Sequence, residues 1–429
     1  MTAHARVTVV AVTLCAAVAM LPGAPAAAAD TPSPGSAPYA FADDGQSVDG
    51  SASTTDAERL KPGTSYKSTV PSTGKVYYRL ELDARSNAYV SATAVPGTDT
   101  TVTAGDGIRV SVQDANGNSC SFDSATIGAS RSPHPVTAVG TREAKPTRVL
   151  CQAGGTYYLV VERIVGTSSS PDTWDLELSP VLEPRLRQTG ATSAPEAWNS
   201  ASAEPIQGEA ERCRGGLGFA SATPLKQGVW RDDIRPGQTL FYKVPLGWGR
   251  QLYAAAELGN SSGGSGFVPG ALNLSLHNPV RSEIEYTGVT YDGSQKSATL
   301  EPLPPVAYPN RYAVAKRVST TRFAGSYYLV VNLAAQVADR FGDGPVGLTL
   351  RLRVKGEAGS GPDYAEPSEP EGIFGGSGPD GQAASPGGAA ADGNATMRLV
   401  AAGGIGAGTV LLVALGAWTA LARRRADGR

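Results

Sequence analysis

Histidine is nearly missing from this chain. Its 429 residues include three, and His4 belongs to a leader expected to be removed, which leaves His134 and His277. His134 lies between prolines in Ser132-Pro133-His134-Pro135, a loop that reads as mobile. His277 ends an alternating segment and aligns with Gln113 of a second copy, so the repeat does not require it. Neither a His-Glu-x-x-His pair, nor paired Cys-x-x-Cys, nor a phosphate loop occurs, which removes the commonest metal and nucleotide motifs. An excess of one charge is missing too. Thirty-seven Lys and Arg stand against 39 Asp and Glu, a net charge of −2 with no basic stripe, which argues against nucleic acid. Between residues 40 and 355 no segment keeps a helical period, and long apolar runs occur only at the two ends.

What is present is a repeat. Gly155-Thr156-Tyr157-Tyr158-Leu159-Val160-Val161 recurs as Gly325-Ser326-Tyr327-Tyr328-Leu329-Val330-Val331. Side chains alternate across a strand, and here both faces are apolar, so each copy predicts a central strand covered on both sides. The match extends outward. Tyr78-Arg79-Leu80 falls on Tyr242-Lys243-Val244, and Val110-Ser111-Val112 falls on Leu274-Ser275-Leu276, both 164 residues apart. Leu60-Lys61-Pro62-Gly63 sits opposite Leu225-Lys226-Gln227-Gly228, and Trp174-Asp175-Leu176 opposite Leu348-Thr349-Leu350. Short strands separated by Gly, Pro, Asn and Asp predict an all-β protein of two tandem β-sandwich or jelly-roll domains, at residues 45–181 and 205–355. Residues 182–204 read as a linker.

The order Leu-x-x-Gly, an alternating strand with paired tyrosines, then Gly-Thr-Tyr-Tyr-Leu-Val-Val and a closing strand resembles the bacterial pre-peptidase C-terminal domain. In that family a small β-sandwich is appended to secreted proteases and other exoenzymes. The resemblance covers residues 45–181 and 205–355 and implies an extracellular accessory module. No peptidase domain precedes either copy. Some members of the family bind calcium through clustered acids. The nearest counterpart here is Asp114-Ala115-Asn116-Gly117-Asn118, which reads better as an Asn-Gly hairpin turn, because the second copy keeps only Asn278-Pro279-Val280.

The ends place the protein. Residues 1–29 read as a signal peptide: His4 and Arg6, an apolar stretch from Val7 to Leu21, then Ala27-Ala28-Ala29. Residues 30–44 read as a disordered N-terminal segment. Leu399 to Leu421 carries no charge and is long enough to span a bilayer, within an expected helix at 398–422. Arg423-Arg424-Arg425 opens a basic tail at 423–429. This predicts a single-pass membrane protein with its ectodomain outside. Gly404 and Gly408, four apart, offer a close-packing face in that helix or are simply common small residues. Residues 356–397, rich in Gly, Ser, Pro and Ala, read as a disordered stalk. Abundant Ala and Arg suggest an actinobacterial source.

Three cysteines remain once Cys15 leaves with the leader. Cys120 and Cys151 flank strands of one domain and are expected to pair in an oxidising compartment. Cys213, in Arg212-Cys213-Arg214, is the odd one: an unpaired surface thiol with a depressed pKa, an intermolecular bridge, or a member of a different pair. Gly259-Asn260-Ser261-Ser262-Gly263 matches the nucleophile elbow in form only, since no helix follows. Asp43-Asp44 and Asp232-Asp233 are neighbours in turns and do not oppose each other. Trp248, between glycines at a loop tip, either stacks on a sugar or partner or folds back over the sandwich edge, and it is the one candidate binding residue. No catalytic set, metal or cofactor is expected. The sequence therefore predicts a non-catalytic membrane-anchored surface protein that binds or scaffolds in the bacterial envelope, through its ectodomain or its membrane helix. The alternatives are a carbohydrate-binding module and an accessory to a secreted protease.

Overall fold

Strict alternation builds both cores. In the segment Lys75–Leu82 the side chains of Val76, Tyr78, Leu80 and Leu82 are buried while Lys75 and Glu81 are exposed. Val244, Leu246 and Tyr242 do the same in Thr239–Leu246. A computed structural model describes residues 39–375, apart from 145–148, 189, 196 and 205. The expected leader, the 398–422 helix with Gly404 and Gly408, and the basic tail lie outside these residues. Among the described residues no helix is long and apolar enough to cross a membrane.

The first sandwich contains β1 (Gln46–Ser47), β2 (Tyr66–Val70), β3 (Lys75–Leu82), β4 (Asn87–Val95), β5 (Gly107–Asp114), β6 (Ser119–Thr126), β7 (Val136–Arg142), β8 (Gly155–Ile164) and β9 (Trp174–Glu183). One sheet runs β1-β2-β9-β4-β7 and the other β3-β8-β5-β6. The second contains β10 (Glu211–Arg212), β11 (Thr223–Pro224), β12 (Gly228–Ile234), β13 (Thr239–Leu246), β14 (Gln251–Leu258), β15 (Val268–His277), β16 (Glu283–Tyr291), β17 (Lys296–Thr299), β18 (Gly325–Leu333) and β19 (Val346–Lys355). Its sheets run β10-β12-β19-β14-β17 and β11-β13-β18-β15-β16. The order is the same, except that β11 adds an edge strand to the second sheet of the second sandwich.

Register and hydrogen bonds repeat as well. Tyr78 lies opposite Leu159, and Tyr242 opposite Leu329. The Tyr157 hydroxyl donates to the Ala153 carbonyl at 2.6 Å, and the Tyr327 hydroxyl to the Phe323 carbonyl at 2.7 Å. Each bond satisfies a phenol whose ring fills a core, so the duplicated tyrosine is kept by packing and by its hydroxyl together. Cys120 and Cys151 are joined by a disulfide, with Cα atoms 5.7 Å apart. At the β5–β6 hairpin the Asp114 carboxylate accepts the Asn116 and Asn118 amides at 2.9 Å each, so this acid serves a turn.

The two sandwiches are pressed together. Arg281 meets Glu177 at 2.5 Å and Arg311 meets Glu183 at 2.6 Å, both pairs nearly inaccessible to water, and Arg322 pairs with Glu143. An apolar patch of Tyr89, Val139, Val181, Val280 and Phe323 lies beside them. Gly270 comes so close to Ala129 of the first sandwich that a Cβ there would sit 2.8 Å from its carbonyl carbon, which only glycine permits.

Both segments expected to lack structure take part in this joint. Of the N-terminal stretch, residues 39–44 are described. Tyr39 donates to Glu177 at 2.7 Å, and the next amide, Ala40, donates to Leu217 of the second sandwich. Of the expected stalk, residues 356–375 turn back onto the joint. Leu182 and Glu369 exchange backbone hydrogen bonds at 2.8 and 3.1 Å, and Phe374 stacks on Phe323 with centroids 4.7 Å apart. The linker lies against the second sandwich, where the Asn199 carbonyl accepts from Gln251, and just past it the Ile206 carbonyl accepts from Arg351. Low apolar content signals missing structure only where no neighbouring domain supplies a surface, and here one aromatic every ten residues suffices.

Candidate functional site at the joint

The outward faces of β13, β15 and β18 would meet solvent in a lone sandwich. Here the first sandwich stands over them, and a cavity of about 320 Å³ remains between. Its floor is Asn273 and Ser275 of β15, with His277 at the strand end and Asn332 of β18 beside them. Its roof comes from β6 and the 127–137 turn, including His134 and Thr137. Phe219 and Phe241 close one side, and Tyr286, 45% exposed, stands at the rim.

Both described histidines therefore face one space. The His134 ring, in its proline-rich loop, lines the cavity. Its Nδ1 is 2.7 Å from the Ser132 carbonyl, and that of His277 is 3.0 Å from the Arg281 carbonyl. A carbonyl only accepts, so in each ring Nδ1 bears the proton and Nε2 is left as a lone pair. His277 Nε2 lies 3.0 Å from Ser275 Oγ, so the serine donates to it. Burial pushes the His277 pKa down to about 4, a shift reinforced by Lys316 and Arg281 and opposed by the Arg281 carbonyl and Asp123. Burial lowers His134 as well. Both rings are neutral at pH 7. Ser275, His277 and the Arg281 carbonyl imitate a nucleophile, base and orienting group, but a base this weak takes up little of a serine proton.

Charge is confined to the edge of the cavity. Lys316 reaches Asp123 across the joint at 3.1 Å, and Glu283 stands nearby. Asn273 accepts a hydrogen bond from the Tyr286 hydroxyl at 2.5 Å. Asn332 donates to Thr239 at 3.0 Å, while its amide oxygen is buried with no partner. Among the described residues no group of three or more His, Cys, Asp or Glu converges as metal ligands.

The comparisons with known proteins follow from this geometry only loosely. No family model matches the chain, and no curated protein does. Among solved structures, the CUB1-EGF-CUB2 domain of human MASP-1/3 is 9% identical and aligns over 67% of this chain and 99% of its own, with a TM-score of 0.17. The CBM22-1-CBM22-2 tandem from Paenibacillus barcinonensis Xyn10C gives 10% identity, 67% and 85% coverage and a TM-score of 0.18. Tripeptidyl peptidase 2 gives 9%, 69% and 24% with a TM-score of 0.20. At these scores no whole-fold superposition exists, and nothing those proteins bind carries over.

The residues singled out in the sequence lie elsewhere. Trp248 is half-buried against the second core, and the chain at Gly361 covers it so closely that a Cβ would fall 2.2 Å from the indole nitrogen. It folds back over the sandwich edge and offers no open stacking face. Cys213 is a free, half-buried thiol packed on the same core. Burial, with Asp232 nearby, pushes its pKa up to about 12, the reverse of the depression expected from its flanking arginines. The arginines act less because their side chains extend into water while the sulfur faces inward. Ser275, Asn273 and Asn332 went unnoticed in the sequence. Their signal was a polar Asn-x-Ser-x-His alternation on the outward face of a strand whose partner copy reads Arg109-x-Ser111-x-Gln113.

Proposed function

We propose that this protein is a non-catalytic binding protein of the bacterial cell surface. It would carry two pre-peptidase-C-like sandwiches outside the membrane, with the leader removed and the 398–422 segment as its anchor. The observation that supports this reading best is the joint. Three Arg–Glu pairs hold two copies of one sandwich together with a polar cavity between them, and the histidine at that cavity is held neutral and weakly basic. Rigid walls and a preformed space suit recognition. The motif resemblance to pre-peptidase domains favours work outside the cell, and the anchor would keep it at the envelope.

The test is a panel of peptidase, esterase and glycosidase substrates offered to the purified full-length chain. No turnover is expected. Hydrolysis that disappears in Ser275→Ala or His277→Gln, with the circular dichroism spectrum unchanged, would replace this reading with an enzymatic one.

A further inference from the structure

The cavity at the joint presents several acceptors that no donor among the described residues satisfies. Ser275 spends its hydroxyl proton on His277, so its oxygen faces the space with lone pairs only. His134 directs its proton to Ser132, which leaves Nε2 as an acceptor with no partner among the described residues. The Asn332 oxygen, on the same wall, is buried and unpaired. Buried acceptors without donors are costly, by about 1–3 kcal/mol each, and native proteins keep few of them. Asn332 carries one such atom, and the two accessible acceptors, Ser275 Oγ and His134 Nε2, suit a ligand that brings protons.

Charge narrows the class. Lys316 and Arg281 lie close enough to His277 to depress its protonation, which disfavours a cationic ligand at that end. Asp123 and Glu283 stand at the edge, and an anion would find acceptors where it needs donors. What fits is neutral and donates from several positions. Hydroxyl groups on a compact ring do this, and each can also accept. About 320 Å³ lies at the lower end of the roughly 300–1,000 Å³ usual for small-molecule sites. Tyr286 at the rim offers a half-exposed ring on which the apolar face of a pyranose can rest.

We propose that the cavity between the two sandwiches is a binding site for a neutral sugar of one or two rings, whose hydroxyls donate to His134 Nε2 and Ser275 Oγ. This deepens the binding reading and rests on it. It also moves any glycan contact from Trp248, which is covered, to a site that neither sandwich forms alone.

The test uses the purified full-length chain and a panel of neutral monosaccharides and disaccharides: glucose, galactose, mannose, N-acetylglucosamine and their common dimers. Saturation-transfer NMR detects binding, and calorimetry measures it. At least one sugar is expected to bind, and His134→Phe and Ser275→Ala should each weaken it about tenfold, the loss of one well-formed hydrogen bond. Trp248→Ala should leave the affinity within twofold. Because Ser275→Ala could loosen β15, His134→Phe, in a turn, provides the independent check. The proposal falls if no sugar binds, or if binding survives both cavity substitutions and is lost with Trp248→Ala. Sugar turnover would instead overturn the non-catalytic reading while leaving the site in place.

Discussion

In the first sandwich, residues 143–154 connect β7 to β8; in the second, residues 300–324 connect β17 to β18. The strands on either side correspond, yet the two connections do opposite things. The first turns inward. Cys151 is tied to Cys120, and the buried Arg142 guanidinium donates to the carbonyls of Ser86, Cys151, Gln152 and Ala153. One cation satisfies four carbonyls that the turn would otherwise bury unpaired. The second turns outward. Asn310 pins it by donating to the carbonyls of Pro305 and Thr321, and from that base Arg311, Lys316 and Arg322 reach the first sandwich. A duplicated scaffold has kept its strands and diverged in one connection, which became a staple in one copy and a docking arm in the other.

That contrast can be tested by breaking each device in turn. The docking arm should show the larger effect. Arg311→Ala strands the fully buried carboxylate of Glu183, for which the Tyr89 and Tyr364 hydroxyls, both at 2.9 Å, are poor compensation. Removing one partner of such a pair costs about 3–5 kcal/mol. Urea denaturation should show a fall of that order. An unchanged midpoint would mean the arm rests on the first sandwich without coupling to it. The staple comes next. Replacing Cys120 and Cys151 together by serine opens a loop with sequence separation 31, which the chain-entropy model values at about 3–4 kcal/mol. Hydrogen exchange should quicken in β6 and β8 but not in β16 and β18. Equal quickening in both copies would show that the joint makes them one cooperative unit.

The smallest effect is that of pH. The folded pKa of His277 is about 4, below its ordinary value of 6.5, so the unfolded chain binds the proton first as pH falls. Stability is complete above pH 6.5 and declines toward pH 4, by about 2 kcal/mol at pH 5. His277→Gln should flatten that slope. Glu183 acts lower on the scale. Burial would raise its pKa, but Arg311, Arg322 and the Asn87 amide hold it below the usual carboxylate range. Its loss therefore follows only when the acid end is reached.

The strands were legible because alternation and a 164-residue offset are properties of the chain itself. Tyr78, Tyr157 and their counterparts declared their places, and so did the cysteine pair. The joint was not legible. Glu177, Glu183, Arg281 and Arg311 look like solvent-facing charges, and nothing in a single sequence says that a second domain will cover them. Tyr39, Tyr364 and Phe374 lie in stretches otherwise poor in apolar residues, so composition spoke for disorder and three rings outweighed it. His134 reads as incidental because it lies between prolines in a loop, and His277 because the repeat puts Gln113 in its place. Their departure from the repeat was the clue, since a surface that exists only between two copies cannot be symmetric in them.

The C-terminal strap also decides how this body is held. The chain leaves β19 at Lys355, at the far end of the second sandwich's sequence, yet its last described residues lie beside Tyr89 and Phe323. A pull applied beyond Gly375 is thus delivered at the waist between the two sandwiches, through the Leu182–Glu369 bridge and the Phe374 stack.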